Sequence, residues 1–320
     1  MSDVVFTPWQ QRAYDQALAA LQSGRLGHAM VLCGPAGIGK RAVADRLARY
    51  VLCGEVPALG NRDAQLIAAG THPDLQQVSF IPTKDGTKLR SEIVIDQIRE
   101  LSQKLTLTPQ YGRAQVAIID PADAVNRAAW NALLKTLEEP QPGRYLWLLS
   151  AEPMRLPATI RSRCQKLEIR LPPRAEAMAW LMAQGYPEVS SAEALDAARG
   201  HPALALSWMS EGGMALRREV AGDLGKLERG QLAVVETAQR WAADEHAALR
   251  LRHAADLVLA QAADPALTDP VRLNKLAAWF DAANRTRDLL RTTVRADLAM
   301  VDLLLAWRDG ARGPANGGRG

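Results

Sequence analysis

Gly34-Pro35-Ala36-Gly37-Ile38-Gly39-Lys40-Arg41 is a phosphate-binding loop with its last functional position changed. The pattern G-x-x-x-x-G-K-[S/T] cradles phosphates with backbone N–H groups, reaches the β/γ-phosphates with the lysine and holds Mg²⁺ with the hydroxyl. Gly34, Gly39 and Lys40 are in place, and Arg41 stands where the hydroxyl belongs. A guanidinium has five donors and no acceptor, so it cannot ligate a cation. The context is that of a true loop of this kind. The apolar run His28 to Cys33 reads as a buried strand before it, and Val43, Leu47 and Val51 recur at helical spacing after it.

Working outward, Gln115 to Ile119 reads as a second buried strand ending at Asp120, and Tyr145 to Ser150 as a third. Lys166 to Leu171 reads as a short fourth, and Leu75 to Ile81 as a further candidate. Helices are expected over Phe6 to Gln22, around Ile95 to Leu105, and over Asn126 to Glu138, where Trp130, Leu133, Leu134 and Leu137 share a face. Strands alternating with helices predict a mostly parallel α/β sheet covered on both faces. After Pro173 the chain turns alanine- and leucine-rich and should be all-helical, with a break at Glu211-Gly212-Gly213. Leu289 to Trp307 reads as one helix with Leu290, Val294, Leu298, Val301 and Leu305 on a face, and Gly310 to Gly320 as a glycine-rich disordered tail. The expected division is a P-loop domain over 1–171, a helical lid over 172–210, a helical oligomerisation domain over 211–309 and the tail over 310–320.

Composition narrows the function. At 320 residues, 48% hydrophobic and 23% charged, the chain has room for two or three domains. It has no apolar stretch of about 18 residues, so no membrane span is expected. Met1 to Gln10 carries Asp3 and no basic region, which argues against a secretory signal. A net charge of +4 is compatible with a nucleic-acid assembly without requiring contact. Cys33, Cys53 and Cys164 are odd in number and far apart, which fits a reducing cytoplasm and gives no zinc spacing.

A P-loop NTPase also needs a strand-end carboxylate to help hold Mg²⁺. Asp120 is placed for it, or else caps the turn after its strand. Three further strings make a family visible. They are Asn131-Ala-Leu-Leu-Lys-Thr-Leu-Glu-Glu-Pro140, Ser150 at a strand end, and Leu156-Pro-Ala-Thr-Ile-Arg-Ser-Arg-Cys164. With Gly34 to Arg41 and Thr71-His-Pro-Asp74, the chain over residues 1 to about 208 resembles the AAA+ subunits of the bacterial clamp loader. Beyond that the likeness is only compositional.

The resemblance implies roles. Gly34, Gly37, Gly39, Lys40, Asp120 and Ser150, the last at the sensor-1 position, would form a degenerate, vestigial nucleotide site. Arg163 of Ser-Arg-Cys would be an arginine finger, reaching in trans to a neighbour's ATP. The bland alternative for Arg163 is a surface ion pair near Glu168. The active members carry a Ser or Thr at position 41, a water-activating Glu where this chain has Pro121, and a sensor-2 arginine where Ala203 falls. Asp123 is poorly placed to replace the missing base. The implied protein is a non-hydrolysing subunit of the replicative clamp loader. It requires no cofactor, and Lys40 leaves weak ATP or ADP binding open. The implied partners are gamma/tau-like motor subunits, a delta-like subunit, and through them the sliding clamp and primed DNA. The chain would thus belong to a DNA-directed DNA polymerase, a nucleotidyltransferase, without catalysing the reaction itself.

The four-cysteine zinc module common in these subunits is not expected, because Gly54 to Gly70 holds neither cysteine nor histidine beyond Cys53. His28, His72 and His201 read as turn or core-edge residues. Arg127 and Lys135 face either DNA or solvent. The competing readings are an active motor subunit of the same loader and a P-loop small-molecule kinase. Arg41, Pro121 and Ala203 oppose the first, as does the lack of a long C-terminal extension. The Ser-Arg-Cys string and the helical C-terminus oppose the second.

Overall fold

The computed structural model describes residues 6–54, 62–83, 86, 89–111, 114–290 and 295–311. The chain divides into two compact units. One comprises Met1–Gly185 with Gly200–Ala203, the other Tyr186–Arg199 with Leu204–Gly320.

The first unit is built on five parallel strands, β1 (Ala29–Cys33), β2 (Leu75–Val78), β3 (Gln115–Ile119), β4 (Arg144–Ser150) and β5 (Gln165–Glu168). Their order is β2-β3-β4-β1-β5. β1 and β3 are buried along their whole length, as continuous apolar runs demand in a sheet covered on both faces. Helices α1 (Pro8–Gln22), α2 (Lys40–Cys53), α3 (Arg62–Ala68), α4 (Ile95–Thr106), α5 (Arg127–Glu138), α6 (Ala158–Arg161) and α7 (Arg174–Ala183) complete the unit. Strand residues alternate between two cores. Met30 and Leu32 join Val43 and Leu47 of α2 on one face, while Ala29, Val31 and Cys33 join Ile98 of α4 and Leu133 of α5 on the other.

The elements follow from local sequence. Asn126 caps α5 by accepting from the Ala129 N–H at 3.0 Å. Pro8 opens α1, where a missing N–H costs nothing, and Gln10 returns its Oε1 to the Thr7 N–H at 3.0 Å. The segment after α2 contains α3, and residues 55–61 lie outside the described part. β2 and β5 are shorter than the sequence suggested. β5 pairs only with β1, which ends at Cys33, so its ladder stops at Glu168.

Among the described residues the second unit is all-helical, with α8 (Glu188–Ala197), α9 (Pro202–Ser210), α10 (Gly213–Glu228), α11 (Val234–Ala243), α12 (Ala247–Ala262), α13 (Pro270–Leu289) and α14 (Ala296–Ala311). The first two residues of α9 belong to the other unit. Gly212, at φ 80°, sits at the break between α9 and α10, where a left-handed conformation favours glycine. The expected helix from Leu289 to Trp307 is corrected: α13 ends at Leu289 and α14 begins at Ala296. The expected stripe holds in part: Leu290, Val301 and Leu305 pack against the helical core. Leu298 is 55% exposed, while Met300, Leu303 and Leu304 are buried. Val294 and the tail residues 312–320 lie outside the described residues.

Candidate nucleotide site and exposed arginine

Open parallel sheets bind ligands beyond the carboxyl ends of their strands, where the strand order reverses. In this sheet that point is the end of β1, where the chain leaves for β2 at the far edge and later returns through β4. Gly34 to Gly39 occupies it. Gly34 approaches so closely that a Cβ there would lie 2.3 Å from the Ile169 carbonyl oxygen. Gly39, at φ 102°, is covered by the Gln10 side chain, which would meet a Cβ at 1.8 Å. A side chain at Gly34 would collide with backbone, whereas at Gly39 it would displace Gln10 and strain a left-handed φ.

The groups that would meet a nucleotide are engaged by the protein itself. Lys40 Nζ donates back to the Gly34 and Pro35 carbonyls at 2.8 and 2.9 Å. Burial lowers the Lys40 pKa, with Asp123 and Asp120 opposing the shift. His201 Nε2 lies 2.8 Å from the Ala36 carbonyl oxygen, so this nitrogen donates to the loop from the residue preceding α9. Trp9 Nε1 donates to the Ile38 carbonyl at 3.2 Å.

Arg41 is the decisive residue. Its Nε donates to both Asp45 oxygens at 2.8 and 3.0 Å, its Nη2 to Gln77 Oε1 at 2.5 Å, and its Nη1 to Asp120 Oδ2 at 3.3 Å. The corner where a hydroxyl and a strand-end carboxylate would share Mg²⁺ holds a fixed organic cation instead. The donor set does not fit a magnesium nucleotide. Asp120 is followed by Pro121, and Asp123 is also committed. The Asp123 carboxylate accepts from Ser150 Oγ, from the Ala151 N–H at 2.7 Å and from the Glu152 N–H at 3.3 Å. Ser150, fully buried, serves to anchor Asp123.

Thus Gly34, Gly37, Gly39, Lys40, Asp120 and Ser150 converge at one end of the sheet, and Arg163 does not join them. Gln165 is level with Met30, at the start of β1, whereas Glu168 is level with Cys33. Arg163 therefore lies at the opposite edge, a strand length of about 13 Å or more away at ~3.3 Å per residue. It donates to the Thr159 carbonyl at 3.0 Å and to Glu138 Oε1 at 2.7 Å. The partner is Glu138 rather than Glu168, which instead pairs with Lys166 and Arg170. Burial raises the neighbouring Cys164 thiol to about 11, so it stays protonated.

Two further histidines bond the backbone, one across 109 residues and one across two. His28 lies 3.0 Å from the Leu137 carbonyl, and His72 Nδ1 accepts from the Asp74 N–H at 3.1 Å. Asp74 in turn accepts from the Gln110 and Tyr111 N–H groups, so Thr71-His-Pro-Asp74 ties a distant loop to the sheet edge. His201 was not legible as a loop contact, because 165 residues separate it from Ala36. No group of three or more His, Cys, Asp or Glu side chains is placed to hold a metal among the described residues. No helix among them is long and apolar enough to cross a membrane.

The strand order, the glycine loop and the carboxylate after β3 define a P-loop-type α/β protein with a guanidinium in the corner where a metal would sit. More particularly, the chain belongs to the delta'-type family of DNA polymerase III subunits: residues 9–173 match the family described as "DNA polymerase III, delta subunit". DNA polymerase III subunit delta' of Pseudomonas aeruginosa is 37% identical over 249 residues, 75% of this chain and 72% of that one. Subunit delta' of Escherichia coli is 36% identical over 178 residues, 54% of this chain and 52% of that one, so the match spans about half of that relative. Subunit tau of Bacillus subtilis is 32% identical over 151 residues, 47% of this chain and 26% of that one.

Proposed function

We propose that this chain is the non-hydrolysing, delta'-like subunit of a replicative clamp loader in the cytoplasm, working beside gamma/tau-like motor subunits and a delta-like subunit. Through that assembly it supports loading of the sliding clamp onto primed DNA. The observation that carries the reading is Arg41 seated on Asp120. Hydrolysis requires a cation and an activated water, and this chain offers a guanidinium and Pro121 in their places.

The active part of the chain is Arg163, as a finger for the neighbour's ATP. It lies near the start of β5, at the other end of the strands from its own loop, which suits action in trans. Its present partner holds it weakly. The side chains of Arg163 and Glu138 are 37% and 49% exposed, and such pairs contribute about 0–1 kcal/mol. Exchange of a carboxylate for a phosphate is therefore cheap, and arginine's planar fork suits both. Residues 1–171 would supply the P-loop domain, 172–210 a lid, and 211–309 the collar that holds the ring together.

The motor-subunit and kinase readings both need Mg²⁺ between residue 41 and Asp120, where the guanidinium lies. ATP turnover by the isolated chain separates them from this one. Background turnover is expected; robust hydrolysis that vanishes in Lys40→Ala would overturn the proposal.

A further inference from the structure

The second unit contains a cluster of arginines for which the function above has no use. Arg199 follows α8, Arg217 lies one turn into α10, and Arg252 lies on α12. All three are drawn to one carboxylate. Arg199 Nη2 donates to Asp256 Oδ1, Arg252 Nε lies 4.0 Å from Asp256 Oδ2, and Arg217 is within electrostatic reach of the same group. The other nearby acid, Glu193, is met by Arg218 at 3.8 Å. Positive charge is therefore in excess at this point.

Three observations show that the excess is built into the packing. First, Arg217 forms no ion pair among the described residues, and its Nη1 is buried with no hydrogen-bond partner. A buried guanidinium N–H left unpaired costs more than an ordinary missing bond, because the group is charged. Second, Arg252 is fixed from below, its guanidinium 5.2 Å from the Trp208 ring centre. Such stacking leaves the edge of the fork free to donate. Third, Arg199 has φ 53°, the only non-glycine residue with positive φ among those described. A strained backbone at a charged side chain is a feature that packing must hold in place. Burial lowers the pKa of Arg217 and of Arg252, so the cost of desolvating both charges is already present.

His253 does not share the cluster's charge. It is fully buried against Trp208, with ring centres 4.5 Å apart, and burial with Arg217 and Arg252 nearby pushes its pKa down to about 4. The ring is neutral near pH 7.

We propose that Arg199, Arg217 and Arg252 form an anion site for a phosphate-bearing ligand on the helical unit. Counting Arg218, four guanidinium groups share two carboxylates, Asp256 and Glu193, which leaves two charges uncompensated. A phosphate dianion, or two successive phosphodiesters of a nucleic-acid strand, matches this better than a single carboxylate does. Phosphate oxygens can also accept from several forks at once. The site is separate from the glycine loop, which belongs to the other unit.

The test uses the full-length chain in phosphate-free buffer, with pyrophosphate as the probe and calorimetry as the readout. Saturable binding is expected in the wild type and in Lys40→Ala. Arg217→Gln should weaken it about tenfold or more, Arg217→Lys should restore part of it, and Asp256→Asn should tighten it. Competition by a short primed duplex would assign the phosphates to a nucleic-acid backbone. Its failure to compete would assign them to a small phosphate. Because Arg217→Gln removes a buried charge, its melting temperature is measured alongside, and Asp256→Asn provides an independent gain of affinity. Binding lost in Lys40→Ala but unchanged in Arg217→Gln and Asp256→Asn would overturn the proposal, as would the absence of saturable pyrophosphate binding by the wild type. The P-loop function proposed above stands or falls on ATP turnover, independently of this result.

Discussion

Arg41 and Asp120, separated by 79 residues in sequence, meet at 3.3 Å at the carboxyl edge of the sheet. The arginine is the residue after the P-loop lysine, and the aspartate follows β3. The corner where a P-loop hydroxyl and carboxylate would share a cation is here taken by a half-exposed ion pair. Asp45 and Gln77 hold the guanidinium from two other sides.

Arg41→Thr should therefore change ligand binding without creating an ATPase. The hydroxyl and the freed Asp120 could again share Mg²⁺. Mg²⁺-dependent affinity for a fluorescent ATP analogue should rise by about tenfold, or ~1.4 kcal/mol. Turnover should stay at background because Pro121 supplies no base. The half-exposed ion pairs lost contribute little to stability. Unchanged affinity would mean that Lys40, turned onto the Gly34 and Pro35 carbonyls, or His201 is the real block.

Much of this site was legible in the sequence. The glycine pattern placed the loop, the apolar runs placed β1, β3 and β4, and Asn126 marked the start of α5. These are local signals, carried by spacing and capping. What stayed hidden was long-range. The motif put position 41 and Asp120 at one metal corner, but nothing announces Gln77 as a partner or an ion pair in place of the metal, and Arg163 pairs with Glu138 rather than with the nearer-seeming Glu168. The stripe from Leu290 to Leu305 misled for a related reason. Leu290 and Leu305 both pack on the same helical core, so an apolar rhythm runs through the gap between α13 and α14.

Zinc content checks a different reading. Only Cys53 lies in the segment where a four-cysteine module would be expected, and it is buried. Elemental analysis of protein purified without chelators should find far less than one zinc per chain. Close to one per chain would mean that a different ligand set holds the metal, since a closed site needs about four ligands.

His253 makes a prediction about pH. Its pKa is about 4 in the folded chain against an ordinary 6.5. The unfolded state therefore binds more protons between these values, and stability rises with pH there. The contribution is fully present above about pH 6.5 and is lost as pH falls toward about 4, a difference on the order of 3 kcal/mol. Urea unfolding at pH 7 and pH 4.5 should show a larger loss for the wild type than for His253→Phe, which keeps an aromatic ring against Trp208. Equal losses would mean that the histidine stays solvated or finds a partner when charged.

The central claim is that a subunit unable to hydrolyse ATP supplies the arginine its neighbour needs. The direct measurement is DNA-stimulated ATPase and clamp loading by a reconstituted loader carrying Arg163→Ala, with assembly verified in the same preparation. Fingers are worth ~10³–10⁵ in rate at the site they serve. The account predicts a complex that assembles normally, with hydrolysis at the facing site essentially abolished and no rescue by Arg163→Lys, which lacks the planar fork. A fully assembled Arg163→Ala loader that hydrolyses ATP and loads clamps at the wild-type rate would contradict it, and would reduce Arg163 to the surface partner of Glu138.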